Sequence, residues 1–314
     1  MNSVFVLGIL QRSGTNFLYN LLKLHPDVKV PETIYEDYFL FHSHKLLGYV
    51  QSVNRQWRER WGVRPDDKNE LTAEFGNAIL RFLNHRAGSG RVLVSKTPRV
   101  KNIDLFSRLF PTGRLLIIVR DGRSVVESGM RSFDWDFETA SRKWADGART
   151  IKRFDEQNLD RYENYRIVRY EDLFQETGTV MSDILSFVGL SADHYDFDRA
   201  NNLSVYGSST YRGGEERMHW EPIERATEFN PLDRWKDWSP DRHRRFNWIA
   251  GDELVKLGYS PVDAGGGGLP QRLVNRSLDA VWAAQQSRRL MREFEDITSR
   301  IRSIGSRARN LIGI

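Results

Sequence analysis

Leu115-Leu116-Ile117-Ile118-Val119 narrows the architectures open to this chain more than any other stretch. Five consecutive apolar residues without alternation need apolar neighbours on both faces of a strand. Charge stops the run at each end, with Arg114 before it and Arg120-Asp121-Gly122-Arg123 after it. A strand buried on both faces belongs to a parallel sheet held between layers of helices. Val4-Phe5-Val6-Leu7, Arg91–Ser95 and Tyr165–Leu173 read as further strands, and Val28–Val30 as a short one. Helical patterns fall between them. Residues 46–89 carry the stripe Leu71, Phe75, Ile79, Phe82 and Leu83, with Trp57 and Trp61 four apart as core residues. Residues 137–157 turn Trp144 and Ala148 inward, and Val180, Ile184, Leu185 and Val188 mark a helix closed by Gly189. A last helix over 241–258 carries Phe246, Ile249, Leu254 and Leu257. Strands alternating with helices imply βαβ units and an α/β fold.

The first of these strands runs into Gly8-Ile9-Leu10-Gln11-Arg12-Ser13-Gly14-Thr15, and Phe17, Leu18, Leu21 and Leu22 then recur at helical spacing. A strand-to-helix junction leaves backbone N–H groups unpaired and puts the positive end of the helix dipole there. An anion is its natural occupant. Arg12 adds a fork of donors, Ser13 and Thr15 add hydroxyls, and Gly14 permits close approach. The loop is built like a P-loop but lacks the Gly-x-x-x-x-Gly-Lys-Ser/Thr spacing of nucleotide triphosphatases. An ordinary Ser/Thr helix cap would carry similar residues. The fold class expected is a P-loop-like parallel sheet flanked by helices, with a C-terminal helical extension.

Two more strand ends carry cations. Lys96 closes one, where ligands of open parallel sheets collect, although a solvated turn would also hold a lysine. Arg120 closes the other, and Ser128 lies on the following helix, which Ser124 is placed to cap. Arg120 and Ser128 would then meet on one anion; the competing arrangement pairs Arg120 with Asp121 or a nearby acid. Glu32, Glu36 and Asp37 follow the first helix beside Tyr35, Tyr38, Phe39 and Phe41, as the wall of a site or as a solvated amphipathic segment. Residues 200–236 form a long polar loop whose Arg212, Arg217 and Arg225 could close over a phosphate.

The chain has 314 residues, no cysteine and a net charge of +5. Disulfides and thiolate metal sites are excluded, which fits a reducing compartment. Residues 270–314 hold nine arginines and four acids, so the rest of the chain is electrically balanced. A generic nucleic-acid-binding protein would spread its basic excess over the body. With the first strand beginning by residue 4, no signal peptide or anchor is expected ahead of it. No apolar run nears the roughly 20 residues that span a bilayer. The domain is expected over 1–262, with a Gly-rich linker at 263–270 and a basic amphipathic helix over 271–314. Leu290, Phe294, Ile297, Ile301, Ile304, Ala308 and Leu311 give that helix a heptad stripe. A coiled-coil oligomer, packing against the parent domain, and a helix lying on an anionic membrane all suit it.

Gly8-x-x-Gln11-Arg12-Ser13-Gly14-Thr15 resembles the 5′-phosphosulfate loop of the PAPS-dependent sulfotransferase superfamily. Val119-Arg120-Asp121-Gly122-Arg123-Ser124-Val125-Val126-Glu127-Ser128 resembles its 3′-phosphate motif. Lys96-Thr97-Pro98, Tyr170-Glu171-Asp172-Leu173, Gly207-Ser208-Ser209, Asn230-Pro231, Trp235 and Leu257-Gly258-Tyr259 are also similar to that family, so the likeness runs over about residues 3–261. Its nearest flavour is that of bacterial sulfotransferases with tyrosylprotein-sulfotransferase-like motifs. The resemblance implies PAPS (3′-phosphoadenosine 5′-phosphosulfate) as co-substrate, no metal, a hydroxyl-bearing acceptor such as a glycan, lipid or small metabolite, and no nucleic-acid partner. It implies donor contacts from Arg12, Ser13, Gly14, Thr15, Asn16, Lys96, Arg120 and Ser128, with Ser208, Ser209 and Arg225 from the long loop. Arg12 and Lys96 would stabilise the leaving phosphate. Glu32 is the first choice for the base that takes the acceptor proton, and Glu36 the second. A bacterial cytoplasm, with the tail in a homo-oligomer or against the inner membrane, is the expected setting. A P-loop kinase would need a loop lysine and a magnesium motif, and a non-catalytic nucleotide- or polyanion-binding module would need neither.

Overall fold

The apolar run lies inside β4 (Arg114–Val119), and Leu115 to Ile118 have no exposed surface. β4 pairs in parallel with β1 (Asn2–Gly8) on one side and β5 (Tyr165–Arg169) on the other. β1 pairs in parallel with β3 (Val92–Thr97), which holds the two-residue edge strand β2 (Val28–Lys29). The sheet therefore has five parallel strands in the order β2-β3-β1-β4-β5. This computed structural model describes residues 2–64, 66–159, 163–205, 230–265 and 268–312, and of these the side chains at 59, 68, 289, 290 and 293–312 are not described.

The described helices are α1 (Thr15–Leu22), α2 (Phe39–Gln56), α3 (Asp67–Asn84), α4 (Phe106–Leu109), α5 (Gly122–Phe133), α6 (Phe137–Asn158), α7 (Tyr170–Gln175), α8 (Thr177–Val188), α9 (Phe197–Asn201), α10 (Pro240–Lys256) and α11 (Leu269–Ile312). Successive side chains of a strand point to opposite faces. In β1 this sends Val4 and Val6 into a core with Leu18, Leu21, Leu22, Ile184 and Leu185. Phe5, between them, meets Phe106 edge to face at 5.3 Å and packs against the tilted Phe110 ring at 4.4 Å. Two apolar layers on one strand explain why its sequence does not alternate. The chain divides into two compact units, Met1–Trp238 with Ile249–Val262, and Ser239–Trp248 with Asp263–Ile314.

Local expectations differ from the structure at four places. Tyr170–Leu173 is not the end of a strand. β5 stops at Arg169, and those residues open α7. Trp57 and Trp61 do not share a helix face, because α2 ends at Gln56, and Trp61 is 62% exposed. Phe82 also leaves the core. Leu80 is buried beside the expected Leu83 in its stead, and Phe82 lies under the Arg86 guanidinium at 3.6 Å. Ser124 is not the cap of α5. Asp121 is, accepting from the Arg123 N–H at 2.9 Å, while the Ser124 hydroxyl donates to the Leu232 carbonyl. A carboxylate one residue before the helix outcompetes a hydroxyl already inside it.

In the second unit, Arg245 donates to the Asn275 carbonyl at 3.1 Å and to Asp279 at 2.7 Å, and the Trp248 indole donates to the other Asp279 oxygen. The heptad stripe from Leu290 onward lies outside the described side chains. Among the described residues no helix is long and apolar enough to cross a membrane.

Candidate active site

The loop between β1 and α1 is held in a conformation its sequence would not adopt unaided. Arg12 has φ of 74° and Gly14 has φ of 95°. A left-handed arginine is uncommon and costs free energy that its surroundings must supply. They do so from α5 and from Arg120, just past β4. The Arg12 Nε donates to the Ser128 hydroxyl at 3.0 Å, and the Arg120 guanidinium donates to the Arg12 carbonyl at 2.7 Å and to the Pro231 carbonyl. Ser13 is buried and its hydroxyl donates to the Leu10 carbonyl at 2.6 Å, so it braces the loop from within.

Gly14 is the residue before α1 and supplies no side-chain cap, and the first turn of α1 contains no acid. The ordinary Ser/Thr cap is thus absent, and the N-terminal N–H groups keep their affinity for an anion. A side chain at Gly14 would also strike Tyr170, whose Cδ2 lies 2.1 Å from where a Cβ would stand. Gly14→Ala combines that clash with an unfavourable φ. It should weaken binding of adenosine 3′,5′-bisphosphate at least tenfold in calorimetry while the far-ultraviolet spectrum stays folded. An unchanged affinity would remove this loop from the site.

Three arginines converge beside the loop. Burial, followed by the repulsion of Arg120, lowers the Arg12 guanidinium to about 10. Burial, followed by Arg120 and Arg12, lowers Arg234 to about 9. Burial is the larger cause in both, and the repulsion that follows it shows that the three guanidinium groups lie near one another. Arg234 was not foreseen in the sequence. Its signal there is its place in Asp233-Arg234-Trp235-Lys236, beside a tryptophan already singled out. The same tract is fastened to α5. Trp235 stacks on Arg123 at 3.7 Å, and the Trp238 indole donates to Glu127 at 2.6 Å. Asp121 pairs with Arg123 rather than with Arg120, which leaves Arg120 directed at backbone carbonyls and over the Tyr170 ring.

At the end of β3, the Lys96 side chain is fully buried. Its ammonium lies 3.6 Å from the Tyr35 ring centre, 5.4 Å from that of Tyr19, and 3.5 Å from Glu36 Oε1. Burial lowers it to about 8, against the opposing pull of Glu36 and Asp37. The Tyr38 hydroxyl donates to Glu36 Oε2 at 2.7 Å, and burial together with that bond pushes the phenol up to about 12. Asp37 stitches this segment to β3. Its N–H donates to the Lys96 carbonyl at 3.1 Å, and its carboxylate accepts from Ser95, Thr97 and the Phe39 N–H. Burial raises the Asp37 pKa. Glu32 stands elsewhere. It is exposed, its N–H donates to the Arg86 carbonyl, and its carboxylate borders Gly88. The acids acting on Lys96 are Glu36 and Asp37.

The structure thus gathers Arg12, Ser13, Gly14, Thr15, Arg120 and Ser128 at one loop, and Lys96 with Glu36 at the end of β3. Asn16 is half-buried on the first turn of α1. Ser208, Ser209 and Arg225 lie outside the described residues, as do Arg212 and Arg217. The residues present fit a phosphate-bearing nucleotide. The Thr15 hydroxyl is buried without a hydrogen-bond partner among the described residues, and so is the Arg120 Nε. A Cβ at Gly8 would lie 2.4 Å from the Thr15 hydroxyl, so only glycine lets the loop close over it.

Residues 3–194 match the profile of the Sulfotransferase family. Protein-tyrosine sulfotransferase 1 of Danio rerio is 23% identical over 273 residues, which is 83% of this chain and 73% of that protein. Protein-tyrosine sulfotransferase 2 of Gallus gallus is 27% identical over 206 residues, 61% of this chain and 52% of that protein, so this chain spans about half its length. The solved sulfotransferase domain from the Curacin biosynthetic pathway is 18% identical, covering 82% of this chain and 98% of that one, with a TM-score of 0.48. With the profile match extending over more than half of its length, the chain belongs to the Sulfotransferase family.

Proposed function

We propose that this chain transfers a sulfuryl group from PAPS to the hydroxyl of an acceptor. The observation that carries the reading is the cluster of Arg12, Arg120 and Arg234 beside an uncapped helix N-terminus, one wall of a site whose other wall is Lys96 with Glu36. Buried guanidinium groups this near one another suit a ligand with more than one negative charge. Membership of the family supports PAPS as that ligand. When bound, PAPS supplies an activated sulfuryl group on a phosphate leaving group.

The residues then divide the work. Arg120 and Ser128 hold the 3′-phosphate, and Arg234 adds charge on the same side. Gly14, Thr15 and the N-terminal N–H groups of α1 hold the 5′-phosphate. Glu36 accepts the proton of the acceptor hydroxyl as its oxygen forms the bond to sulfur. The bond from sulfur to the phosphate oxygen breaks, that oxygen takes the electron pair, and Arg12 and Lys96 stabilise the growing charge. Tyr38 holds the Glu36 carboxylate on one side and Lys96 holds it on the other.

Labelled sulfate transferred from PAPS to members of a panel of hydroxyl acceptors tests the reading directly. In calorimetry, adenosine 3′,5′-bisphosphate should bind and ATP with Mg²⁺ should not compete. Arg120→Ala should weaken the bisphosphate tenfold or more. Equal affinity for ATP with Mg²⁺ would favour a phosphoryl-transfer enzyme, and bisphosphate binding unaffected by Arg120→Ala would remove the 3′-phosphate assignment.

A further inference from the structure

A second cation-lined space lies apart from the arginine cluster. It begins at Ile9, the first residue past β1, where α6 comes closest. A Cβ at Gly147 would stand 2.8 Å from the Ile9 carbonyl. Phe41 and the turn Arg99–Asn102, just past β3, form the facing wall. In-register pairing sets Val6 beside Lys96 and Leu7 beside Thr97, so the cleft opens at the same carboxyl edge of the sheet as Lys96. Its volume is about 530 Å³, within the roughly 300–1,000 Å³ of ordinary ligand sites.

Four cationic side chains line it: Arg99, Lys101, Lys143 and Arg153. Asp104 and Asp146 are its acids, and Asp146 is held in an ion pair by Arg149. This excess is local, because the chain before residue 270 carries equal numbers of acids and bases. None of the four belongs to the group assigned to the donor. The cleft is joined to the proposed base by two links. The Arg99 guanidinium is close enough to Tyr38 and Glu36 for their charges to act on it, and the Tyr38 and Phe41 rings meet edge to face at 5.9 Å.

We propose that this cleft receives an oxyanion carried by the acceptor, so that the hydroxyl presented to Glu36 belongs to a molecule bearing a carboxylate, phosphate or sulfate. The sulfotransferase reading supplies the word acceptor; the anion site stands on the cleft alone. A ligand of this kind is attracted by several cations at partly solvated positions, an interaction that salt screens. It also brings into line a molecule whose hydroxyl could otherwise approach Glu36 in many orientations.

The test uses the full chain saturated with adenosine 3′,5′-bisphosphate, so that the donor loop is filled. It is titrated by calorimetry with pyrophosphate and, separately, with tricarballylate. Both should bind, more weakly as salt rises. Lys143→Gln with Arg153→Gln should cost each probe at least tenfold in affinity and leave the bisphosphate affinity unchanged. Stronger binding of pyrophosphate assigns a phosphate or sulfate ester, and stronger binding of tricarballylate assigns a carboxylate. Failure of both probes to bind a chain that holds the bisphosphate would overturn the proposal, as would equal affinity in wild type and double variant. A wild-type chain that binds pyrophosphate in a Lys143- and Arg153-dependent way but ignores the bisphosphate would keep the anion cleft and sink the donor reading.

Discussion

Glu36→Gln should slow sulfate transfer by about 10²–10⁴-fold, and Glu32→Gln should leave it near the wild-type rate. The amide keeps the shape of the side chain and can still accept from Tyr38, but it cannot take a proton from the acceptor. The loss corresponds to about 3–5 kcal/mol of transition-state stabilisation. Because Glu36 faces Lys96 and Tyr38 rather than the phosphate cradle, the affinity for adenosine 3′,5′-bisphosphate should not fall with it. Rapid-quench measurement of a single turnover with bound PAPS reads the chemical step alone. Wild-type turnover in Glu36→Gln, or a large loss in Glu32→Gln, would return the role to Glu32.

These two acids show where sequence reasoning stops. The sheet was legible because its determinants are local: an apolar run without alternation and strand ends marked by charge. The β1–α1 loop was legible for the same reason, since Arg12, Gly14 and Thr15 lie within five residues of one another. Choosing between Glu32 and Glu36 depends on where a segment without a long helix or strand meets β3. Asp37 fixes where that segment lies, its backbone and carboxylate making four contacts with Lys96, Ser95, Thr97 and Phe39. A clamp between residues some 60 apart leaves no periodic trace. Arg234 escaped notice for a similar reason. Its partners Arg12 and Arg120 come from two other parts of the chain, and their convergence exists only after β1 and β4 have paired. Trp57 and Trp61 erred in the opposite direction. Their spacing suits a helix that in fact ends one residue before the first of them.

Lys96→Met should lower transfer by about 10²–10³-fold, the cost of removing one preorganised charge stabiliser, and should raise the melting temperature at neutral pH. Both follow from one fact: the ammonium is enclosed by Tyr35, Tyr19 and Glu36, and burial brings its pKa down from 10.5 to about 8. The folded chain thus gives up the Lys96 proton more easily than the unfolded chain does. Between about pH 8 and 10.5 the unfolded state binds more protons, so the Lys96 contribution to stability rises with pH across that window. Below it the folded state carries a buried charge at a cost of about 3 kcal/mol, which methionine removes. Glu36, left behind, retains some solvent exposure and is not stranded. Activity runs the other way. Stabilising the leaving phosphate requires the ammonium, so kcat/KM for PAPS should fall above about pH 8, and the alkaline limb of kcat should lie higher because bound phosphate holds the proton on. Lys96→Met should lose that alkaline limb along with most of its rate. A variant that melts lower than wild type, or keeps the alkaline fall, would mean that Lys96 serves the fold and that another group carries the charge.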